Sequence, residues 1–416
     1  MNSPIVLLGA LDTKGMEFAF VRDRIHARGH TVLVVDTGVM GEPQFPPDIS
    51  AAEVARAGGS SLDSLRAEQD RGQAMSVMAR GAAVIARRLY DEGKLAGILG
   101  MGGSGGSAVA SAAMRALPIG VPKVLVSTVA SGNTAPYVGT RDIILIPSIV
   151  DVAGLNRISR RIFSNAVGAI CGMVEQASQE QTEVQDKPLL AASMFGNTTP
   201  AVDRARATFE NAGYEVLVFH ATGTGGKTME SLIEDGFISG VFDITTTEWA
   251  DELAGGVFSA GPTRLEAAAQ HGIPQVVAPG CIDMVNFGPR EAVPAQYDTR
   301  NFYVWNPSVT LMRTTPEENA ELGHIFAEKL NAAKGPVEVF IPLKGVSMLD
   351  SENQPFWSPE ADRAFTQSLK QHLRPDIRVH ELDANINDPA FVDAMTLTLL
   401  GFLSEPTTDD GGRTTA

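Results

Sequence analysis

A short apolar run that closes on a small or polar residue, followed by an amphipathic stretch, recurs along the chain. In the first half the runs are Ile5–Gly9, Thr31–Asp36, Leu95–Gly100, Lys123–Ser127 and Ile143–Ile146. In the second half they are Leu189–Phe195, Glu215–His220, Gly240–Ile244, Gln275–Ala278 and Val337–Ile341. Each is too short for a helix and is apolar at successive rather than alternate positions, as strands covered on both faces are. Strands that alternate with helical stretches predict an α/β fold on mainly parallel, doubly wound sheets.

The two halves echo one another. Gly29–Val35 resembles Gly213–Phe219, and Gly120–Val126 resembles Gly272–Ala278. Before the first echo, Gly9-Ala10-Leu11-Asp12-Thr13 corresponds to Gly196-Asn197-Thr198-Thr199. Matching pieces in one order predict two Rossmann-like lobes facing each other across a cleft, from an internal duplication. The strand–glycine–helix grammar common to doubly wound domains would give a similar echo without one. The polar segment Glu175–Lys187 is the expected boundary, which sets a first lobe at 1–183, a second at 184–404 and a flexible polar tail at 405–416. Residues 41–72, rich in Pro and Gly, and 282–315, rich in Asn, Pro and aromatics, interrupt the repeat and are expected as irregular loops.

Composition narrows the class. With 416 residues, 44% hydrophobic and 20% charged, the chain is long enough for two domains and is not disordered. Two cysteines, Cys171 and Cys281, exclude a disulfide framework and a thiolate zinc site. The first residues lack the cationic flank of a signal peptide, and no apolar span of about 20 residues occurs. A cytoplasmic protein without membrane partners is expected. Residues 1–183 hold 17 acidic and 17 basic residues, so the net charge of −16 lies wholly in residues 184–416. Such a surface repels phosphate backbones and argues against nucleic acid as a partner, but backbone amides and one lysine can still hold a phosphate locally.

Doubly wound sheets bind ligands beyond the carboxyl ends of their strands. Gly100-Met101-Gly102-Gly103-Ser104-Gly105-Gly106-Ser107 follows a strand and opens a helix of small residues. Its glycines admit a ligand close to the backbone, and the helix N-terminus offers amides to a phosphate. Gly100, Gly102 and Gly105 fit the dinucleotide fingerprint, yet the acid expected about 20 residues later is missing, so a phosphate cradle is the better reading. In Asp12-Thr13-Lys14-Gly15 the lysine can reach a phosphate, while Asp12 and Thr13 either cap the helix or ligate magnesium. Asp36 either binds ribose hydroxyls or ends its strand in a turn. Ser127–Asn133 adds small hydroxyl residues, Thr128 and Ser131 with Gly132 among them.

In the second half, Thr222-Gly223-Thr224-Gly225-Gly226-Lys227-Thr228 resembles a Walker A loop but has Ala221 where that motif needs glycine, which leaves an anion loop. Thr245-Thr246-Thr247-Glu248 takes the place of the first half's glycine loop. Glu248, Asp283 and His220 are the candidate catalytic groups, able to move protons or, for the carboxylates, to hold metal, and equally able to be solvated surface.

These residues together resemble a known family. Asp12–Gly15, the Gly102–Gly106 run with Ser104, Ser127–Gly132, Asp151–Asn156, His220–Gly226, Thr245–Glu248 and Ile386-Asn387-Asp388-Pro389 are similar, in order and over nearly the whole chain, to the ATP-binding family typified by the tomato mosaic virus resistance protein. The resemblance implies two Rossmann-like subdomains with ATP held mainly by the first. Asp12, Thr13, Lys14 and Gly102–Ser107 would then be its contacts. The plant member's C-terminal barrel domain is expected to be absent here.

The expectation is a cytoplasmic, homo-oligomeric ATP-binding protein, with or without magnesium, acting as an enzyme on a small-molecule substrate between its lobes. A nucleotide-gated module without turnover, an NAD-dependent oxidoreductase and a phosphosugar or small-acid enzyme are the alternatives.

Overall fold

The computed structural model describes residues 3–179 and 187–404. Contacts divide the chain into two units, Met1–Val184 and Gln185–Ala416. The boundary expected at 183/184 and the tail expected at 405–416 lie outside the described residues.

In the first unit, β1 (Ile5–Gly9), β2 (Val32–Asp36), β3 (Gly97–Gly102), β4 (Lys123–Ser127) and β5 (Ile144–Pro147) form one parallel sheet in the order β2-β1-β3-β4-β5. Successive residues of each strand face opposite ways, and both faces are covered. Val6, Leu8, Ile98 and Leu125 pack against the helices Ala51–Ala57, Arg71–Asp91 and Ser104–Arg115. Ile5, Leu7, Leu99 and Val124 pack against Leu11–His26 and Arg157–Ala177. Burial on both sides is why the strands read as unbroken apolar runs. Strand order reverses between β1 and β3, so the loops that follow these two strands diverge and leave room between them.

In the second unit, β6 (Leu189–Met194), β7 (Glu215–His220), β8 (Ile238–Thr245) and β9 (Gln275–Gly280) are followed by β10 (Met284–Phe287), β11 (Phe302–Asn306), β12 (Val309–Arg313), β13 (Val337–Pro342) and β14 (Arg378–Leu382). Six of them form a parallel sheet in the order β7-β6-β8-β9-β13-β14, and β10-β12-β11 form a small antiparallel sheet. The first four strands of each parallel sheet share one order. The helices Thr199–Asn211 and Pro389–Ser404 cover one face of the larger sheet, and Thr224–Glu234 with Pro316–Asn331 and Pro359–His372 cover the other.

All ten expected strands are present, within two residues at their ends. Two expectations are corrected. Residues 282–315 are not irregular: they carry β10–β12, with a tight β11–β12 turn in which the Asn306 side chain accepts from the Ser308 amide at 2.8 Å. Pro307 and the brevity of the strands hid this hairpin. Residues 41–72 carry the helices Ala51–Ala57 and Leu62–Glu68, the first opened by a Ser50/Glu53 capping box whose S-x-x-E spacing is legible in the sequence. The strand β14 was also not anticipated. Among the described residues no helix is long and apolar enough to cross a membrane.

The helices Ala51–Ala57 and Arg71–Asp91 meet backbone to backbone. A Cβ on Gly81 would lie 1.9 Å from the Val54 carbonyl oxygen, and one on Gly58 would lie 2.1 Å from that of Val77. Helix propensity favours Gly81→Ala by about 1 kcal/mol, but parting two backbones costs about 1–3 kcal/mol. Gly81→Ala is therefore expected to lower the thermal midpoint in calorimetry, against its propensity.

Candidate functional site

A cavity of about 870 Å³ lies at the carboxyl ends of β1, β2 and β3. Of the residues that the sequence pattern singles out, Asp12, Thr13, Lys14, Gly103, Ser104, Gly105 and Gly106 line it, and Asp151 joins them. Two helices begin here, Leu11–His26 after β1 and Ser104–Arg115 after β3, and neither is capped by the side chain of its own N-cap residue, Ala10 or Gly103. Their first-turn amides and positive dipole ends thus meet in one cavity, an arrangement suited to an anion. Gly102 belongs to β3, and a Cβ there would come within 2.9 Å of the Gly106 Cα. Only glycine lets the strand turn this sharply into its helix.

The surrounding contacts hold the two helix starts in place. Ser107 is buried behind the glycine turn, and its hydroxyl shares a hydrogen bond of 2.6 Å with that of Ser127 at the end of β4. Asp36, also buried, accepts from the amides of Leu11 at 3.0 Å and Gly38 at 2.9 Å through one oxygen. Burial raises its pKa, against the pull of those two amides. Asp36 is not among the cavity's lining residues and braces the β1 loop to the β2 loop. Asp12 Oδ2 accepts from the amides of Met40 at 2.9 Å and Gly41 at 3.1 Å, while its Oδ1 is buried without a partner. Lys14 interrupts its helix with φ −130° and donates from Nζ to the Val152 carbonyl. Glu17, buried, accepts from the Gly154 amide, so the Asp151–Asn156 motif is fastened to the first helix. Thr128 Oγ1 would be 3.7 Å from a Cβ on Gly103, but Thr128, Ser131 and Gly132 do not line the cavity.

The opposite wall consists of residues the sequence pattern did not single out. Leu65, Arg66, Gln69, Asp70, Arg71, Ala74 and Met75 come from the segment after β2 and the start of the helix Arg71–Asp91. The available signal was the position of this long segment, which follows the carboxyl end of a strand next to β1.

The second unit meets its loop amides with its own carboxylates. Glu248 is buried, and its Oε1 accepts from the amides of Gly223 at 2.8 Å and Gly226 at 3.0 Å. Its Oε2 accepts from Arg264 Nε at 2.8 Å. A Cβ on Gly226 would lie 2.1 Å from Oε2, so glycine is required there to admit the carboxylate. The loop expected to hold an external anion thus holds Glu248. Within that loop Thr224 and Lys227 are exposed, Thr222 and Gly225 are half-buried, and the Thr222 hydroxyl donates to the His220 carbonyl. Arg264 itself is buried among three carboxylates, with two bonds of 2.6 and 2.7 Å to Asp243 and a third partner in Glu230. His220, at the end of β7, is exposed and lies 5.3 Å from the Phe195 ring, centroid to centroid.

Asp283 is fully buried and accepts from the Ser347 hydroxyl at 2.8 Å, with its Oδ1 unpartnered. Burial, reinforced by the charge of Asp350, pushes Asp283 up to about 7 and Asp362 up to about 8, although Arg313 pulls the other way. Among the described residues no group of His, Cys, Asp or Glu is arranged to hold a metal ion by itself.

Two outcomes are expected of these clusters. Glu248→Gln turns an amide donor toward either the two backbone amides or Arg264, which should cost about 2–3 kcal/mol on chemical denaturation. A folded pKa raised above its ordinary 3.8 makes Asp362 contribute stability that is fully present at low pH and is lost as pH rises toward about 8. Asp362→Asn should therefore show a shallower decline of thermal midpoint than wild type between about pH 5 and about pH 8, followed by scanning calorimetry.

Family models match both parts of the chain. The N-terminal domain of an uncharacterised protein family, UPF0261, covers residues 3–179, and its C-terminal domain covers residues 187–403. A UPF0261 protein of Clostridium tetani is 52% identical over 97% of this chain and 100% of its own length. The ToMV resistance protein Tm-1(GCR237) of Solanum lycopersicum is 39% identical over 96% of this chain but only 56% of the tomato protein. Among solved structures, UDP-N-acetylglucosamine 2-epimerase matches 90% of this chain and 92% of its own at 12% identity with a TM-score of 0.22, too slight a likeness to bear on function. With both domain models matched in order and these relatives spanning nearly all of it, the chain belongs to the UPF0261 family, which includes homologues of the tomato Tm-1 proteins.

Proposed function

We propose that the first unit binds ATP in the cavity at the ends of β1 and β3. The observation that carries this reading is the meeting of two helix N-termini, neither closed by its own N-cap residue's side chain, with Lys14 beside them, in one cavity at the point of strand reversal. The cavity's 870 Å³ lies within the range of small-molecule sites. Its lining combines polar groups, Lys14 and the Gly103–Gly106 turn, with apolar side chains, Val39, Leu65, Ala74 and Met75. That combination suits a ligand with a phosphate chain and a flat base. Asp12, with one carboxylate oxygen buried and unpartnered, is the residue that would hold an accompanying magnesium ion. Bound there, the ion would neutralise phosphate charge.

The shared order of the first four strands supports reading the two units as repeats of one Rossmann-like plan. What each does differs. Glu248 is buried and saturated by three donors, and Asp283 is buried as well. The saturation of Glu248 favours a nucleotide-gated binding or regulatory module over an enzyme that uses this carboxylate on a small-molecule substrate.

Titration calorimetry with ATP and magnesium tests the site. A Cβ on Gly103 has no neighbour closer than 3.7 Å, so Gly103→Val should fold normally and abolish binding by filling the anion position. Lys14→Ala removes a charge-assisted contact and should weaken binding about tenfold or more. Unchanged ATP affinity in Gly103→Val would refute the assignment.

A further inference from the structure

Three cationic side chains line the first-unit cavity, and two of them are committed to the protein's own backbone. Lys14 donates to the Val152 carbonyl. Arg66 donates to the carbonyls of Val39 at 2.7 Å and Gly41 at 3.0 Å. Arg71 is exposed and has neither a hydrogen bond nor an ion pair to any described residue, in a chain with 49 acidic side chains. Asp12, Asp70 and Asp151 line the same cavity but none is ion-paired with it, and its place against two helix ends is electrostatically adverse. Arg71 is the first residue of the helix Arg71–Asp91, so it adds a positive charge to the positive end of its own helix. It also stands over a second such end, because a Cβ on Gly105, in the first turn of Ser104–Arg115, would lie 3.8 Å from Arg71 Nη2. Asp70 next to it already accepts from the Gln73 amide at 3.1 Å as the helix cap. The turn that carries these residues is itself constrained, since Gln69 has φ 52°, in the left-handed region that a non-glycine residue seldom adopts.

A cation placed against two positive helix ends lowers stability unless an anion sits between them. We propose that Arg71 grips the ligand's phosphate chain against the Ser104–Gly106 amides, and that it selects polyphosphate over uncharged or monophosphate ligands. The proposal rests on the anion-binding reading of the cavity and adds the residue and the ligand charge. Arginine suits the task because its planar donors engage two phosphate oxygens at once, which a lysine ammonium does not.

The test compares wild type, Arg71→Ala and Arg71→Lys by calorimetric titration with ATP, AMP, adenosine and inorganic tripolyphosphate, alongside their ligand-free thermal midpoints. Arg71→Ala is expected to bind ATP and tripolyphosphate about tenfold or more weakly, with Arg71→Lys in between and adenosine unaffected. Its ligand-free midpoint should equal or exceed that of wild type, because an adverse charge has been removed. A residue with a merely structural role would instead lower that midpoint and spare the contrast between ATP and adenosine. Wild-type affinity of Arg71→Ala for both polyphosphates overturns the proposal and leaves the nucleotide reading standing. Tripolyphosphate binding that depends on Arg71, without ATP binding, upholds the clamp and removes the nucleotide. Binding of neither by wild type overturns both.

Discussion

Every strand of a parallel sheet that runs into a helix delivers unpaired amides and a positive dipole end to the same edge, and those groups must find negative partners. The arrangement of both units at that edge follows from this constraint. In the second unit several of the partners are internal, although the helices Thr199–Asn211 and Glu248–Ala254 have no side-chain cap. Glu248 takes the Gly223 and Gly226 amides, Glu230 takes those of Leu265 and Ala267, and Asp350 takes those of Val346 and Ser358. In the first unit Asp36 and Asp12 do the same for Leu11, Gly38, Met40 and Gly41, but no side chain caps the helix that starts at Ser104. Between the Gly223–Thr228 and Gly102–Ser107 loops, this difference separates a structural loop from a candidate binding site.

Internal satisfaction brings its own electrostatic demand. Gathering Asp243, Glu248 and Glu230 around the strand ends buries three carboxylates, and Arg264 is the one guanidinium among them. Proximity to these carboxylates holds the Arg264 pKa well above its ordinary value, against burial, while burial raises that of Glu230. Arg313 has the corresponding place among Asp350 and Asp362. The acidity of the second half is therefore partly an interior property: some of its carboxylates serve as hydrogen-bond acceptors for loops rather than as a repulsive surface.

Strand positions were legible in the sequence because burial on both faces leaves a local signature, a short apolar run closed by glycine or serine. The glycine turn at Gly102–Gly106 was legible for a similar reason, since a sharp strand-to-helix turn has no room for side chains. The hairpin β11–β12 was not: its strands are short, Phe302–Asn306 is mostly exposed, and Pro307 imitates a loop. The far wall of the cavity was hidden differently. Arg66, Gln69 and Arg71 look like ordinary helix-surface residues, and only the packing of Arg71–Asp91 against Ser104–Arg115, with Met75 against Gly105, turns them toward the glycine loop.

The sequence by itself determined the α/β class, the ten principal strands and the loops at their carboxyl ends, because those features arise from residue-by-residue periodicity and from glycines at sharp turns. The tertiary structure decided which of those loops are open. Gly223–Thr228 and Gly102–Ser107 read alike as glycine-rich helix starts, yet in one a carboxylate 22 residues away in the chain accepts from the Gly226 amide, and in the other no side chain arrives. Whether a helix end is already satisfied depends on which distant side chain the fold brings within hydrogen-bonding distance, and local sequence carries no record of that.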